Sequence, residues 1–371
     1  MECDIFTLTL YMALPLLALM FGRWAQRAKV LVIVTPEKVY RPSKHINYFW
    51  YLNLFVVLFI LLALRDVGTD LPVYKEIFQY SNTDYAESYG IEPGFLFLNK
   101  VLRFCTSNEN VAILLFSFLS IYFIYKIVEY YADEIDLSLA LFSFVSMFYF
   151  QSFSLLRIYL VTYFLCYTFK FMMNGDVKKY ILCIFLSVLF HYSALLMLLP
   201  VLFYIIYHRS RKLFLLGIFF LLVGFSVSLQ YLSLLNVFER YSTYAEGEVE
   251  NGVGFGQVLN HLPLFLLYVY LRIKRYKTSV LDLFLVYSLF SFFYGMMGYK
   301  VFVIGRLSIY FIAIYVILIP WLMKLLKKDS DKMYYAIKIS YIIYMFFRCY
   351  MYFKEYSLLD SIMPYKFIET L

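Results

Sequence analysis

Charge is what this 371-residue sequence has least of: Asp, Glu, Lys and Arg together make up 16% of it, against 63% hydrophobic residues. A mean hydropathy of +0.73 lies outside the range of soluble globular domains, so water is excluded as the main solvent. Ligating residues are also scarce. There are four His and five Cys, and Cys3, Cys105, Cys166, Cys183 and Cys349 show neither CxxC nor Cys/His spacing, so neither a metal site nor a disulfide framework is indicated. No P-loop is present, and the one Asp-x-Asp triplet, Asp329-Ser330-Asp331, stands within the lysine cluster at 324–332; a cytoplasmic nucleotide-sugar enzyme is disfavoured. The glycines at 252, 254 and 256 do not make a dinucleotide fingerprint, because no strand precedes them. Internal repeats, heptads and low-complexity tracts are missing, which argues against a repeat architecture.

What the sequence does have is a series of apolar runs and many aromatic rings, 39 Tyr and 40 Phe, of the kind that settle at membrane interfaces. A span needs about 20 apolar residues. Candidate spans lie near 5–21, 46–64, 108–126, 137–151, 157–173, 213–230, 258–272, 279–299, 303–323 and 333–350. The first of them has no basic stretch before it and no small-residue cleavage site after it, and reads as a retained span. The run from Tyr180 to Tyr207, with His191, Ser193 and Pro200 inside it, is too long for one span and short for two. Two short helices meeting near His191 are predicted. Counted that way, with the N-terminus outside, 21 Lys and Arg fall on the inner side and 11 on the outer, the bias expected of a membrane protein. One pass instead of two would put the basic clusters at 272–277 and 324–332 outside. The net charge of +8 is therefore a mark of topology and not of nucleic-acid binding. The expectation is an all-α integral membrane protein, a polytopic helical bundle of about 11–12 spans forming one domain over residues 1–371, with two long, net acidic outward loops at 65–107 and 231–257.

Loops on one face are where function concentrates. The first opens with Leu64-Arg65-Asp66-Val67-Gly68-Thr69-Asp70, reaches Tyr74, and closes with Ile91-Glu92-Pro93-Gly94-Phe95. Arg65, at a membrane exit, suits a snorkelling anchor or a bidentate ligand for a lipid-linked diphosphate. Asp66 and Asp70 flank a turn-permitting Gly68 and fit turn caps, partners of Arg65, or a general base. Glu92 suits a helix start as well as a base. Arg157 and Arg306 interrupt apolar stretches, where an ionisable group needs protein, water or a counter-ion. His191 is the one His deep in an apolar run, which fits a packing residue, a general base or a phosphate donor; His45, His208 and His261 fall at loop edges. The second loop carries Arg240 and Gly247, Gly252, Gly254 and Gly256, a composition that suits either a lid or a plain connector.

In order and spacing, the Arg, Val-Gly-Thr-Asp, Tyr and Glu-Pro-Gly-aromatic elements of the first loop resemble the outward loop of the EpsG family of Wzy-like polysaccharide polymerases. Leu156-Arg157, Phe190-His191-Tyr192-Ser193-Ala194 and, more weakly, Gly305-Arg306 with Tyr310-Phe311 agree, so that the resemblance covers roughly residues 46–323. It implies a GT-C-like fold and a glycosyltransferase joining polyprenyl-diphosphate-linked oligosaccharides, for O-antigen, capsule or exopolysaccharide, on the outer face of a bacterial inner membrane. Arg65, Arg157, Arg306, Tyr74 and Arg240 would then bind substrate, and His191, Asp66, Asp70 or Glu92 would handle the proton. The resemblance implies no metal and no cofactor; the partners are the lipid-linked substrates, membrane lipid and a chain-length regulator, with no nucleic acid. Three rivals stay open. A flippase or other transporter of lipid-linked sugars would use the same cations, although no inverted repeat is seen. A membrane acyltransferase would use His191, although no second polar partner lies near it in sequence. A non-catalytic scaffold is the third. If the arginines act together, Arg65, Arg157 and Arg306 converge on one anion.

Overall fold

The computed structural model describes residues 4–26, 46–83, 90–231, 255–274, 276, 278–298, 302–355 and 361–368. Among them all regular structure is helical, apart from isolated bridges pairing Gln26 with Ile46 and Arg65 with Phe367. The fold class is therefore the expected one, an all-α polytopic membrane protein. Four helical stretches among the described residues are long and apolar enough to cross a bilayer: Ile5–Ala25, Asn110–Tyr130, Tyr192–Arg209 and Val280–Met297. Shorter apolar helices run over Tyr48–Ala63, Leu137–Tyr149 and Val258–Ile273.

The chain forms two compact units, Met1–Met173 with Phe185–Tyr192 and Tyr315–Leu371, and Asn174–Ile184 with Ser193–Ile314. In chain order the first unit begins with α1 (Ile5–Ala25), α2 (Tyr48–Ala63), α3 (Leu71–Gln79), α4 (Pro93–Cys105), α5 (Asn110–Tyr130), α6 (Leu137–Phe144) and α7 (Leu156–Met173). Side-chain caps start several of these helices. The Asp4 carboxylate accepts from the main chain of Phe6 and Thr7, Asn47 from Phe49, and Asp136 from Leu139, each satisfying a helix-end N–H that has no partner within its helix. Helix α5 packs along α7, while α1 packs on α2 and α6.

Helix α6 does not run straight into α7. It passes through a π-helical turn at Val145–Tyr149 and a 3₁₀ turn at Gln151–Phe153, which takes main-chain carbonyls near residue 153 out of the helical ladder and leaves them for other donors.

The stretch 65–107, expected from sequence to be an outward loop, carries two helices among its described residues. Leu71, Tyr74, Ile77 and Phe78 share the buried face of α3, at the spacing of an amphipathic helix, and Pro93 occupies the first turn of α4, where its missing N–H costs nothing. Both helices lie on α5. Their apolar faces, with Phe95, Ala112, Ile113, Phe116, Leu156 and Leu160, form one local core. The two helices of this region are thus packed elements and not free chain. Of the second expected loop, residues 232–254 lie outside the described residues, and the lid reading with them.

Helix α8 (Val177–Val188) ends three residues before His191, and a 3₁₀ turn at Tyr192–Met197 follows, so the break expected near His191 is present. Then come α9 (Leu198–Arg209), α10 (Arg211–Tyr231), α11 (Phe255–Ile273), α12 (Ser279–Met297), α13 (Phe302–Arg306) and α14 (Ile309–Ile312). In the second unit α12 is central, packed by α9, α11 and α14. Gly305 on α13 comes so close to Gly298 that a Cβ on either residue would lie 2.6–2.8 Å from the Cα of the other, which gives Gly305 a packing reason independent of any chemistry. His261 is not at a loop edge as its sequence position suggests; it is buried in α11 with Nε2 3.1 Å from the Ser291 hydroxyl of α12. The chain returns to the first unit with α15 (Tyr315–Asp329) and α16 (Asp331–Glu355).

Candidate functional site

Four motif elements of the first unit meet at one place. Glu92 is the residue just before α4, in extended conformation, and its side chain is 8% exposed. One carboxylate oxygen accepts from Arg157 Nη1 at 2.7 Å and the other from the Tyr192 main-chain N–H at 3.3 Å. Arg157 is the second residue of α7. Its main-chain N–H donates to the Tyr74 hydroxyl at 3.3 Å, and its guanidinium lies 5.2 Å from the centre of the Phe95 ring, a cation–π placement. Phe95 in turn stacks on Phe116 and meets Tyr74 edge-on.

Each residue of the Glu-Pro-Gly-Phe motif has a local reason. Pro93 starts the helix. Gly94 donates to the Leu189 carbonyl at 2.8 Å, and a Cβ there would fall 2.8 Å from that same oxygen, so only glycine allows the approach. Phe95 supplies the ring beneath Arg157. Because Leu189 precedes His191 by two residues, the Gly94 contact also fixes the turn that carries His191 and Tyr192.

Burial, helped by the neighbouring Arg157 charge, pushes the His191 imidazole down to about 3. It is therefore neutral near pH 7, a hydrogen-bonding group with little affinity for a proton. Burial pushes the Tyr74 phenol up to about 12, Asp70 acting in the same direction, so Tyr74 keeps its proton. The His191 shift has a stability consequence whose sign is fixed. An unfolded imidazole takes up a proton below about 6.5, while the folded one refuses it until about 3, so stability is at its plateau above about pH 7 and falls as pH drops through the interval. The thermal midpoint of purified protein in detergent should show this: the gap between the native chain and His191→Gln should be flat above about pH 7 and shift in favour of the variant toward about pH 4, by at most about 1.4 kcal/mol per pH unit.

Three more of the expected site residues lie in the segment from Arg65 to Asp70. Arg65 is fully buried. Its Nε and Nη2 donate to the Phe153 carbonyl at 3.0 and 2.9 Å, and Nη1 donates to the Leu62 carbonyl. Asp66 pairs with Lys75 at 2.8 Å in an exposed position. Asp70 is the residue before α3, making no side-chain capping bond to that helix. Arg306 ends α13 in the second unit, and Arg240 lies outside the described residues. Among the described residues no cluster of His, Cys, Asp and Glu could hold a metal ion.

The sequence model of the EpsG family matches residues 48–367, most of the chain. The chain belongs to the EpsG family. Membership supports a Wzy-like polysaccharide-polymerase role in general terms, and with the apolar helices it makes the protein a multi-pass membrane protein. No curated protein and no solved structure matches. The EpsG match encloses the whole Glu92–Arg157–Tyr74–His191 cluster. Sequence reasoning missed the cluster's main-chain members, the Leu189 carbonyl and the Tyr192 N–H, and the Phe153 carbonyl that holds Arg65, because main-chain groups leave no residue-type signature. The single glycine in each of the Val-Gly-Thr-Asp and Glu-Pro-Gly-Phe motifs is the sequence signal of these close main-chain approaches.

Proposed function

We propose that this EpsG-family chain polymerises oligosaccharide repeat units carried on polyprenyl diphosphate, at the outer face of the cytoplasmic membrane. The observation that carries the reading is the family match across residues 48–367, with the Arg157–Glu92 pair inside it supplying suitable chemistry. In the reaction an acceptor sugar hydroxyl attacks the anomeric carbon of the growing chain. The new C–O bond forms as the bond to the polyprenyl diphosphate breaks, and the hydroxyl proton must be taken up. Arg157 offers a planar fork of donors for the charge growing on the departing diphosphate. Its move onto that diphosphate frees the Glu92 carboxylate to accept the hydroxyl proton. Neutral His191 and protonated Tyr74 serve as hydrogen-bonding groups for sugar or phosphate oxygen. The outward location rests on the charge census, which puts the Arg65–Ser107 stretch opposite the basic clusters.

Deletion of the gene tests the reaction class. A polymerase predicts loss of the long-glycan ladder on a gel with single-unit product retained on the surface. Complete loss of surface glycan, with repeat units accumulating inside, would instead identify a flippase.

A further inference from the structure

Among the described residues Arg65 is one of the largest fully buried side chains, and it carries a charge. A buried guanidinium is costly unless its donors are satisfied. Here three hydrogen bonds from it run to two main-chain carbonyls, Phe153 and Leu62, and the Phe153 ring lies 5.3 Å from its central carbon. Among the described residues no carboxylate pairs with it. To touch a substrate anion it would have to leave those carbonyls and come out of the interior.

What Arg65 grips is the joint just before Arg157. Phe153 closes the 3₁₀ turn, Ser154 follows, and α7 begins at Leu156. The same joint is held twice more by the Val-Gly-Thr-Asp turn. The Thr69 N–H donates to the Ser154 hydroxyl at 3.2 Å, and Gly68 presses so near that a Cβ would lie 2.3 Å from the Phe153 oxygen. On its other side the Arg65 segment is strapped by the C-terminal residues 361–368. Asp66 N–H donates to the Lys366 carbonyl at 2.8 Å, Gly68 N–H to Ser361 at 3.0 Å, and Ile368 N–H to Leu64 at 3.0 Å. The Tyr365 hydroxyl donates to the Leu61 carbonyl at 3.0 Å and the Tyr11 hydroxyl to Ile362 at 2.8 Å.

We propose that Arg65 is a positioning residue: clamped on the Phe153 carbonyl and strapped by the C-terminal segment, it fixes the start of α7 and so aims Arg157 at Glu92. The functional half rests on the polymerase reading above; the structural half does not. A lysine keeps the charge but cannot place two N–H groups on one carbonyl, so charge alone does not replace Arg65.

The test is a double-mutant cycle on single-unit transfer between purified lipid-linked repeat units by protein in nanodiscs. Arg65→Lys should slow transfer at saturating donor by about 10- to 100-fold, the cost of a misplaced catalytic group, with little change in KM. In an Arg157→Lys background the same change should cost less than about twofold, because Arg65 acts only through Arg157. Ser154→Ala, a milder loosening of the joint, should repeat the pattern at smaller size and serves if Arg65→Lys fails to fold. Losses that multiply in the double variant, or a loss confined to KM, would overturn the proposal in favour of direct substrate contact. Amide exchange supplies an arm independent of activity: Arg65→Lys or Ser154→Ala should speed exchange over residues 154–158 and leave the middle of α5 unchanged. Unchanged exchange at 154–158 sinks the clamp. If the native chain transfers nothing, the polymerase reading fails while the exchange arm still decides the clamp.

Discussion

Arg157→Ala, compared at matched membrane abundance, should abolish long-chain surface glycan, with single-unit transfer slowed roughly 100- to 1000-fold, the usual cost of removing one preorganised donor from developing charge. Arg157→Lys should fall between, since an ammonium cannot match the fork geometry that a diphosphate offers. The rival account of the same pair is structural: Glu92 and Arg157 hold α4, α7 and the Tyr192 turn together, and any break in the pair disturbs all three. The two accounts separate in the double variant. Breaking a mostly buried pair by removing one partner leaves the other uncompensated, whereas neutralising both can be close to harmless. A structural pair therefore predicts that Glu92→Gln with Arg157→Gln recovers most of the activity lost in either single change. A chemical pair predicts that the double variant is as inactive as Arg157→Ala. Glu92→Gln alone is informative as well, because it keeps an oxygen for the Tyr192 N–H while losing the proton acceptor. The loss expected there is about 100- to 10,000-fold; near-native transfer by Glu92→Gln would remove Glu92 from the proton-accepting role.

Much of this cluster was visible in the sequence as separate pieces. The Glu-Pro-Gly-Phe motif, Arg157 and the Phe190-His191-Tyr192 stretch each stood out by type and order, and the break at His191 followed from run length and charge placement. Their meeting was not visible, because it depends on the Gly94 contact with Leu189, a main-chain approach between segments about 95 residues apart in the sequence. Arg65 shows the opposite limit. Its place at the end of an apolar run suggested a side chain reaching outward to water or phosphate, yet it turns inward, because the irregular turn at 145–153 presents a carbonyl with no helical partner. Neutral main-chain acceptors buried beside it satisfy the guanidinium, while Asp66, its neighbour in sequence, pairs with Lys75. The C-terminal strap was invisible for a related reason: most of its bonds join main-chain groups, and nothing about Ser361 or Lys366 as residue types announces them. The start of α4 was legible in Glu92 and Pro93, whereas α3 is a different kind of omission. The spacing of Leu71, Tyr74, Ile77 and Phe78 is helical on its face, although the charges of the same stretch point to a loop.

Gly68→Ala is the second large effect, and it reports on folding more than on chemistry. Gly68 has φ +120°, a conformation that costs a residue with a Cβ on the order of 1–3 kcal/mol. A second cost is steric and independent. The Cβ would lie 2.3 Å from the Phe153 carbonyl oxygen and 2.9 Å from its carbon, and that oxygen cannot retreat while two Arg65 N–H groups hold it. Forcing the extra atom in adds roughly 1–3 kcal/mol more. Relief requires the turn at Gly68 to lift from Phe153, which pulls on the Gly68 N–H bond to the Ser361 carbonyl and the Thr69 bond to Ser154. The expected result is a thermal midpoint in detergent lowered by several degrees, raised protease sensitivity after residue 355, and glycan synthesis reduced in proportion to folded protein. Gly175→Ala is the control. Gly175 also has positive φ, +85°, yet nothing lies within 4 Å of its would-be Cβ, so it carries the conformational cost without the collision. If the two variants lose the same stability, strain at φ explains Gly68 and the close packing against Phe153 adds nothing; a larger loss at Gly68, by about 1 kcal/mol or more, assigns the difference to the joint that Arg65 clamps.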